Sequence, residues 1–186
     1  MANTARIIIL NGVGSVGKSS TTRALQRIAR DPLLHVRMDD FFAMLPDAMV
    51  GHPDGVIFAQ DAGCTLPSLA IRTGPVMDRA MRGMRHAVAA LAGQGNDLIV
   101  DDVMLGRGEA AEYRSLLSAF SLRFVGLFAP LPLLEERERA RGDRRTGLAR
   151  WQYDRVHVGV TYDLTIDTAA LAPLDCARQI SAAFDL

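Results

Sequence analysis

At 186 residues and 49% apolar, the chain has material for one substantial core with small embellishments. Its 21 basic and 21 acidic side chains cancel, which argues against a basic field for nucleic acid and against a polybasic membrane anchor. The longest apolar runs are strand-sized, the N-terminus has no export signal, and Cys64 and Cys176 lack C-x-x-C spacing. A cytoplasmic protein with reduced thiols and no membrane span is therefore expected.

Arg6 to Leu10 reads as a first strand, and it runs directly into Gly12-Val13-Gly14-Ser15-Val16-Gly17-Lys18-Ser19. That run fits G-x-x-x-x-G-K-[ST], the phosphate-binding loop. Its glycines let the backbone turn successive N–H groups onto a polyphosphate. Lys18 supplies a point charge at the β- and γ-phosphates, and the Ser19 hydroxyl is placed for Mg²⁺. Ser20, Thr21 and Thr22 continue into a helix, predicted to Arg30, whose N-terminal dipole favours the same anion. A nucleotide's polyphosphate is the expected ligand, gripped by Gly12 to Ser20.

After Asp31-Pro32, Leu33 to Met38 reads as a second strand, and a short helix is expected from Asp40 to about Ala48. Gly51 to Gly74 carries no helical period and reads as a long loop, or as a loop holding a small hairpin, on the acceptor side. From Pro75 to Ala92, Met77, Met81, Met84 and Val88 keep a 3.6-residue period and are expected mainly in the core. Asp97 to Asp101 is a buried strand, Glu109 to Ala119 a helix, and Leu122 to Phe128 another strand. A helix from Pro130 to Arg141, one from Thr146 to Val156, a strand from Asp163 to Ile166 and a closing helix from Pro173 to Phe184 complete the pattern. Strands alternating with helices predict an α/β sandwich: a five-stranded parallel sheet covered on both faces, with ligands at the strands' carboxyl ends.

The polar residues just past each strand are therefore the site candidates. Asp101 ends its strand in the position of a second Mg²⁺-organising group, while Asp102 faces the other side of the pleat, toward a cap or a neighbouring cleft. Of Asp39 and Asp40, one suits the base that takes a proton from an alcohol. Asp40 is expected to cap a helix starting at Phe41, which leaves Asp39 as base. Arg137, Arg141 and Arg144 recur at i, i+4 and i+7, and a lid over about residues 137–150 would bring them to the phosphates. The turn Asp167-Thr168-Ala169-Ala170 reads either as backbone packed against an adenine ring, with Thr168 at the nucleotide, or as a simple strand-to-helix connection. His157 receives no role, and His35, His52 and His86 show no metal-ligand spacing.

Taken in order from about residue 6 to residue 184, these segments resemble the chloramphenicol phosphotransferase family of P-loop kinases. The match is carried by Ile8-Ile9-Leu10-Asn11-Gly12 entering the phosphate loop, Met38-Asp39, and Ile99-Val100-Asp101-Asp102-Val103-Met104-Leu105-Gly106. Glu138-Arg139-Ala140-Arg141-Gly142-Asp143-Arg144, Val156-His157, Tyr162-Asp163 and Asp167-Thr168 extend it. The resemblance implies a nucleoside-kinase-like fold and transfer of the γ-phosphate of ATP to a hydroxyl of chloramphenicol. It implies Asp39 as general base and Arg137, Arg141 and Arg144 as lid arginines. Gly51 to Gly74 departs most from the pattern, so the acceptor is the least determined element. Competing readings are a zeta-toxin-like nucleotide-sugar kinase, a nucleotide switch, which would want the absent N-K-x-D motif, and a non-catalytic nucleotide-binding protein.

Overall fold

The structure is a computed structural model that describes residues 4–61, 63, 67–142 and 145–186, so Cys64 and Arg144 lie outside the described residues. The chain runs β1 (Arg6–Asn11), α1 (Lys18–Ile28), β2 (Leu33–Arg37), α2 (Met38–Ala43), a 3-10 turn (Asp47–Met49) and the strands β3 (Val56–Gln60) and β4 (Leu69–Thr73). It continues through α3 (Pro75–Gly93), β5 (Asp97–Asp102), α4 (Arg107–Leu116), β6 (Ser121–Phe128), α5 (Leu131–Arg141), α6 (Leu148–Tyr153), β7 (Leu164–Asp167) and α7 (Pro173–Phe184).

Five strands form a parallel sheet in the order β2-β5-β1-β6-β7. Ile7 to Leu10 are buried without a break, which a strand tolerates only when helices cover both sheet faces. The pleat sorts them: Ile8 and Leu10 join Leu25 of α1 and Ile180 of α7, while Ile7 and Ile9 join Met84 and Val88 of α3 and Tyr113 of α4. The central strand β1 therefore ends between two helical layers, and the phosphate loop leaves from there, where the connections diverge to opposite edges of the sheet.

The predicted elements recur with three corrections. The helix expected from Asp40 starts earlier, at Met38, and ends at Ala43; Pro46 then admits only the 3-10 turn. Asp40 is consequently inside that helix and does not cap it: its carboxylate pairs with the Arg37 guanidinium one turn back, while the N-cap position falls to Arg37 itself. The helix expected over 146–156 is the shorter α6. The segment from Gly51 to Gly74 resolves in favour of the hairpin, with β3 antiparallel to β4 and Phe58 opposite Ile71.

Candidate active site

The phosphate loop is shaped by positions that admit little else. A Cβ on Gly12 would stand 2.6 Å from the Leu127 carbonyl oxygen and 2.9 Å from Val16 Cγ1, so β6 presses directly on the loop. Gly17 holds φ +104°, a left-handed conformation that opens α1. Val13 and Val16 are buried and anchor the loop from below. The first-turn amides of α1, which no helical carbonyl can satisfy, head a cavity of about 400 Å³.

Ser15, Val16, Gly17, Lys18, Ser19 and Ser20 line that cavity. Gly12, Val13 and Gly14 do not. Gly12 and Val13 give their carbonyls to Lys18 Nζ at 2.7 and 3.2 Å, and the Gly14 N–H donates to Gln152 Oε1 at 2.7 Å. Lys18 is thus folded along the loop, 3.8 Å from Asp101 Oδ1. Ser19 Oγ donates to Asp101 Oδ2 at 2.5 Å. Burial pushes the Asp101 carboxyl up, but His35, the Lys18 charge and the Ser19 hydroxyl outweigh it and hold it below the ordinary carboxylate value. A hydroxyl and an ionised carboxylate this close are hard oxygen donors suited to Mg²⁺, which takes one or two protein oxygens and completes its shell with phosphate and water. Among the described residues no group of three or more His, Cys, Asp or Glu side chains offers an all-protein metal cage.

Across the cavity stand Arg137 and Arg141 of α5, with Thr168 from the turn after β7. Arg137 is anchored: its Nη1 donates to Thr168 Oγ1 at 3.1 Å and its Nη2 to the Thr168 carbonyl at 2.9 Å. Two arginines and the loop lysine thus converge on one volume sized for a polyphosphate. Glu138, between the two arginines in sequence, turns inward and is 2% exposed; its carboxylate accepts from the Gly147 and Ala149 amides at 2.7 and 2.8 Å, holding the start of α6 against α5.

A second cavity of about 410 Å³ opens on the other face of the sheet. Met38, Phe42, Met77, Met81 and Trp151 supply apolar wall; of the methionine stripe expected mainly in the core, Met84 is there, and Met77, though buried, borders this space together with Met81. Its polar end holds Asp78, Arg82, Arg85, Asp102 and Glu109. Adjacent in sequence, Asp101 and Asp102 serve different cavities because successive strand residues face opposite ways. Asp102 is 4% exposed and accepts from the Val103 amide at 2.7 Å and the Tyr113 hydroxyl at 2.8 Å. Burial raises its pKa despite those bonds. Asp39 sits in the exposed first turn of α2, between the wall residues Met38 and Phe42, and lines neither cavity itself.

Sequence reasoning missed Gln152 and Glu138, whose roles depend on contacts far along the chain that no local spacing announces. It also passed over a half-buried chain behind the loop. Asn11 Oδ1 accepts from the Met104 amide, Asn11 Nδ2 donates to Tyr162 Oη at 2.7 Å, and the Tyr162 hydroxyl shares a 2.7 Å hydrogen bond with His157 Nδ1. The His157 ring stacks on Phe128, with centroids 3.9 Å apart. Burial and the Lys18 charge push its pKa down to about 4, and burial pushes that of Tyr162 up to about 12.

Comparison with known proteins gives a concordant picture. A family model described as chloramphenicol phosphotransferase-like protein matches residues 5–185. A Mycobacterium tuberculosis protein named “Putative O-phosphotransferase”, found in two strains, is 28% identical over 182 residues, covering 94% of this chain and 80% of the relative. Among solved structures, the M. tuberculosis APS kinase CysC superposes with a TM-score of 0.67 at 15% identity, covering 99% of each chain. A gluconokinase from Sinorhizobium meliloti does so with a TM-score of 0.64 at 17% identity, over 98% of this chain and 93% of that one. At these identities the structural matches establish the P-loop kinase fold.

Proposed function

This chain belongs to the chloramphenicol phosphotransferase-like family, and from that membership we propose that it is an ATP-dependent O-phosphotransferase acting on a hydroxyl of a small molecule, chloramphenicol or a related alcohol. The observation that carries the reading is the pairing of two cavities, one bordered by Asp101 and the other by Asp102, with Gln152 walling the second while its Oε1 accepts from the Gly14 amide of the phosphate loop. One is walled by phosphate-loop residues and arginines, the other by apolar side chains with a polar end.

In this reading the triphosphate lies along the amides of Ser15 to Ser20, with Lys18 and the guanidinium groups of Arg137 and Arg141 at the charge that spreads as the γ-phosphoryl moves. Ser19 and Asp101 would hold Mg²⁺, Asp101 through water, and Thr168 would border the nucleotide; the ion, when bound, would supply positive charge against the triphosphate. The acceptor hydroxyl gives its proton to Asp39, its oxygen forms the new bond to phosphorus, and the bond to the bridging oxygen breaks with its electron pair leaving on ADP. Asp39 suits the task because it is an exposed side chain between Met38 and Phe42, which wall the second cavity, whereas Asp102 is buried against the Val103 amide and the Tyr113 hydroxyl. Hydrogen bonds of a base often close only in the substrate complex.

The second cavity disfavours the nucleotide-sugar alternative. It offers Arg82 and Arg85 against Asp78, Asp102 and Glu109, and Arg85 is already paired with Glu112 at 2.6 Å. A multiply anionic acceptor would face a wall short of cations; a neutral aromatic alcohol meets Phe42 and Trp151. The test is purified protein with Mg-ATP, chloramphenicol and a panel of neutral alcohols and nucleotide sugars, read by product mass. A product 80 Da heavier on a neutral alcohol (the mass of a phosphoryl group in place of hydrogen) is expected. Asp39→Ala should lower that transfer about 100-fold or more while leaving ATP affinity nearly intact. Phosphorylation of nucleotide sugars alone would overturn the acceptor class, and undiminished transfer by Asp39→Ala would remove Asp39 as base.

A further inference from the structure

One largely buried side chain near the proposed nucleotide cavity has no role in the mechanism above. His35 lies in the middle of β2, an edge strand hydrogen-bonded to β5, and its neighbour two residues on, Arg37, is in register with Asp101. On that strand Leu33 packs into the layer beneath α1 and Val36 into the opposite layer, so period-two alternation puts His35 on the α1 side with the phosphate loop. Its side chain is 13% exposed, and its Nε2 is buried without a hydrogen-bond partner among the described residues. The acidic group facing that nitrogen is Asp101, whose Oδ2 is 3.8 Å away. The same Oδ2 now accepts the Ser19 hydroxyl, and Oδ1 faces Lys18 Nζ.

A buried donor left unpaired beside a carboxylate, and separated from it by less than an ångström beyond bonding range, calls for a physical reason. The geometry points to His35 as a positioning residue for the Mg²⁺ site: its Nε2–H holds the Asp101 carboxylate in place when the Ser19 hydroxyl is drawn to the cation. Groups behind metal-organising carboxylates commonly work this way, fixing the orientation of an oxygen that would otherwise rotate. The neutral imidazole suffices, because it is donation from Nε2 that matters. The inference rests on Ser19 and Asp101 being the Mg²⁺-binding pair.

The test measures binding of a fluorescent N-methylanthraniloyl-ATP to the intact protein across a Mg²⁺ titration, with no acceptor and no turnover. His35→Asn and His35→Gln are both amides that keep the strand polar and of similar bulk. The longer glutamine amide reaches the place of Nε2; the shorter asparagine amide does not. For His35→Asn the Mg²⁺ concentration at half effect should rise about tenfold, with Mg²⁺-free nucleotide affinity unchanged; His35→Gln should return toward the wild-type titration. Thermal melting of each variant accompanies the titration, and a fold defect would weaken Mg²⁺-free binding as well. An asparagine variant with the wild-type Mg²⁺ response overturns the inference. A wild-type protein whose nucleotide affinity ignores Mg²⁺ overturns the Ser19–Asp101 site itself, and the role of His35 with it.

Discussion

Gly12 marks the point where the sheet and the phosphate loop come closest, and a methyl group there has nowhere to go. It would meet a backbone oxygen of β6 at 2.6 Å and Val16 at 2.9 Å, neither of which can swing aside without moving the loop. Overpacking of this kind costs about 1–3 kcal/mol, and relief by loop displacement would misalign the amides proposed to hold the triphosphate. Gly12→Ala is expected to fold, to lose stability by that amount in urea denaturation, and to bind ATP at least tenfold more weakly by calorimetry. Unchanged affinity would mean that the loop is not the nucleotide cradle. Lys18 belongs to the same scale: bonded to the Gly12 and Val13 carbonyls, it must release them to serve a phosphate.

Among elements, α5 and α6 act as a pair held by one carboxylate. Position for position α5 reads as an exposed charged helix, yet Glu138 is buried and caps the start of α6, while Gly147 precedes that helix with φ +100°. Glu138→Ala strips two buried amides of their acceptor, at about 1–3 kcal/mol for each. The expected result is a clear drop in the unfolding midpoint, and faster proteolysis near α6 than elsewhere in the chain. Loss confined to global stability, with α6 protected as before, would deny it this local role. The link matters for the site because Gln152 on α6 accepts from Gly14 and also walls the second cavity. Reading helices from charge spacing found the arginines on α5 and missed the acid between them, since burial of a glutamate is decided by what packs over it.

For the whole molecule, the half-buried chain from Asn11 through Tyr162 to His157 is expected to tie global stability to pH. With a folded pKa of about 4 against an ordinary 6.5, His157 stays neutral over a range where the unfolded chain takes up a proton. Between pH 6.5 and 4 the unfolded state binds more protons, so stability falls as pH falls through that window and this contribution levels off below it. Asp101, held low, adds an acid loss only below the ordinary carboxylate range. Denaturant unfolding of the wild type should weaken from pH 6.5 to 4.5, and His157→Asn should flatten the slope. An equal slope in both would place the titrating group elsewhere.

The phosphate loop was legible because it is continuous: glycines, lysine and serine at fixed spacing need no distant partner to be recognised. The strand-end acids were legible for a related reason, as a two-residue period separates Asp101 from Asp102 whatever surrounds them. Even so, Asp40 went astray by one turn of helix, because its preference for a cap yielded to an ion pair with Arg37. Which cavity the methionines of α3 border, that Glu138 is swallowed, that Gln152 reaches Gly14 and that His35 faces Asp101 were decided by tertiary packing alone. Local motifs are set by covalent neighbours and survive in any environment, whereas these contacts join residues 9 to 138 positions apart whose meeting depends on how the sheet is layered.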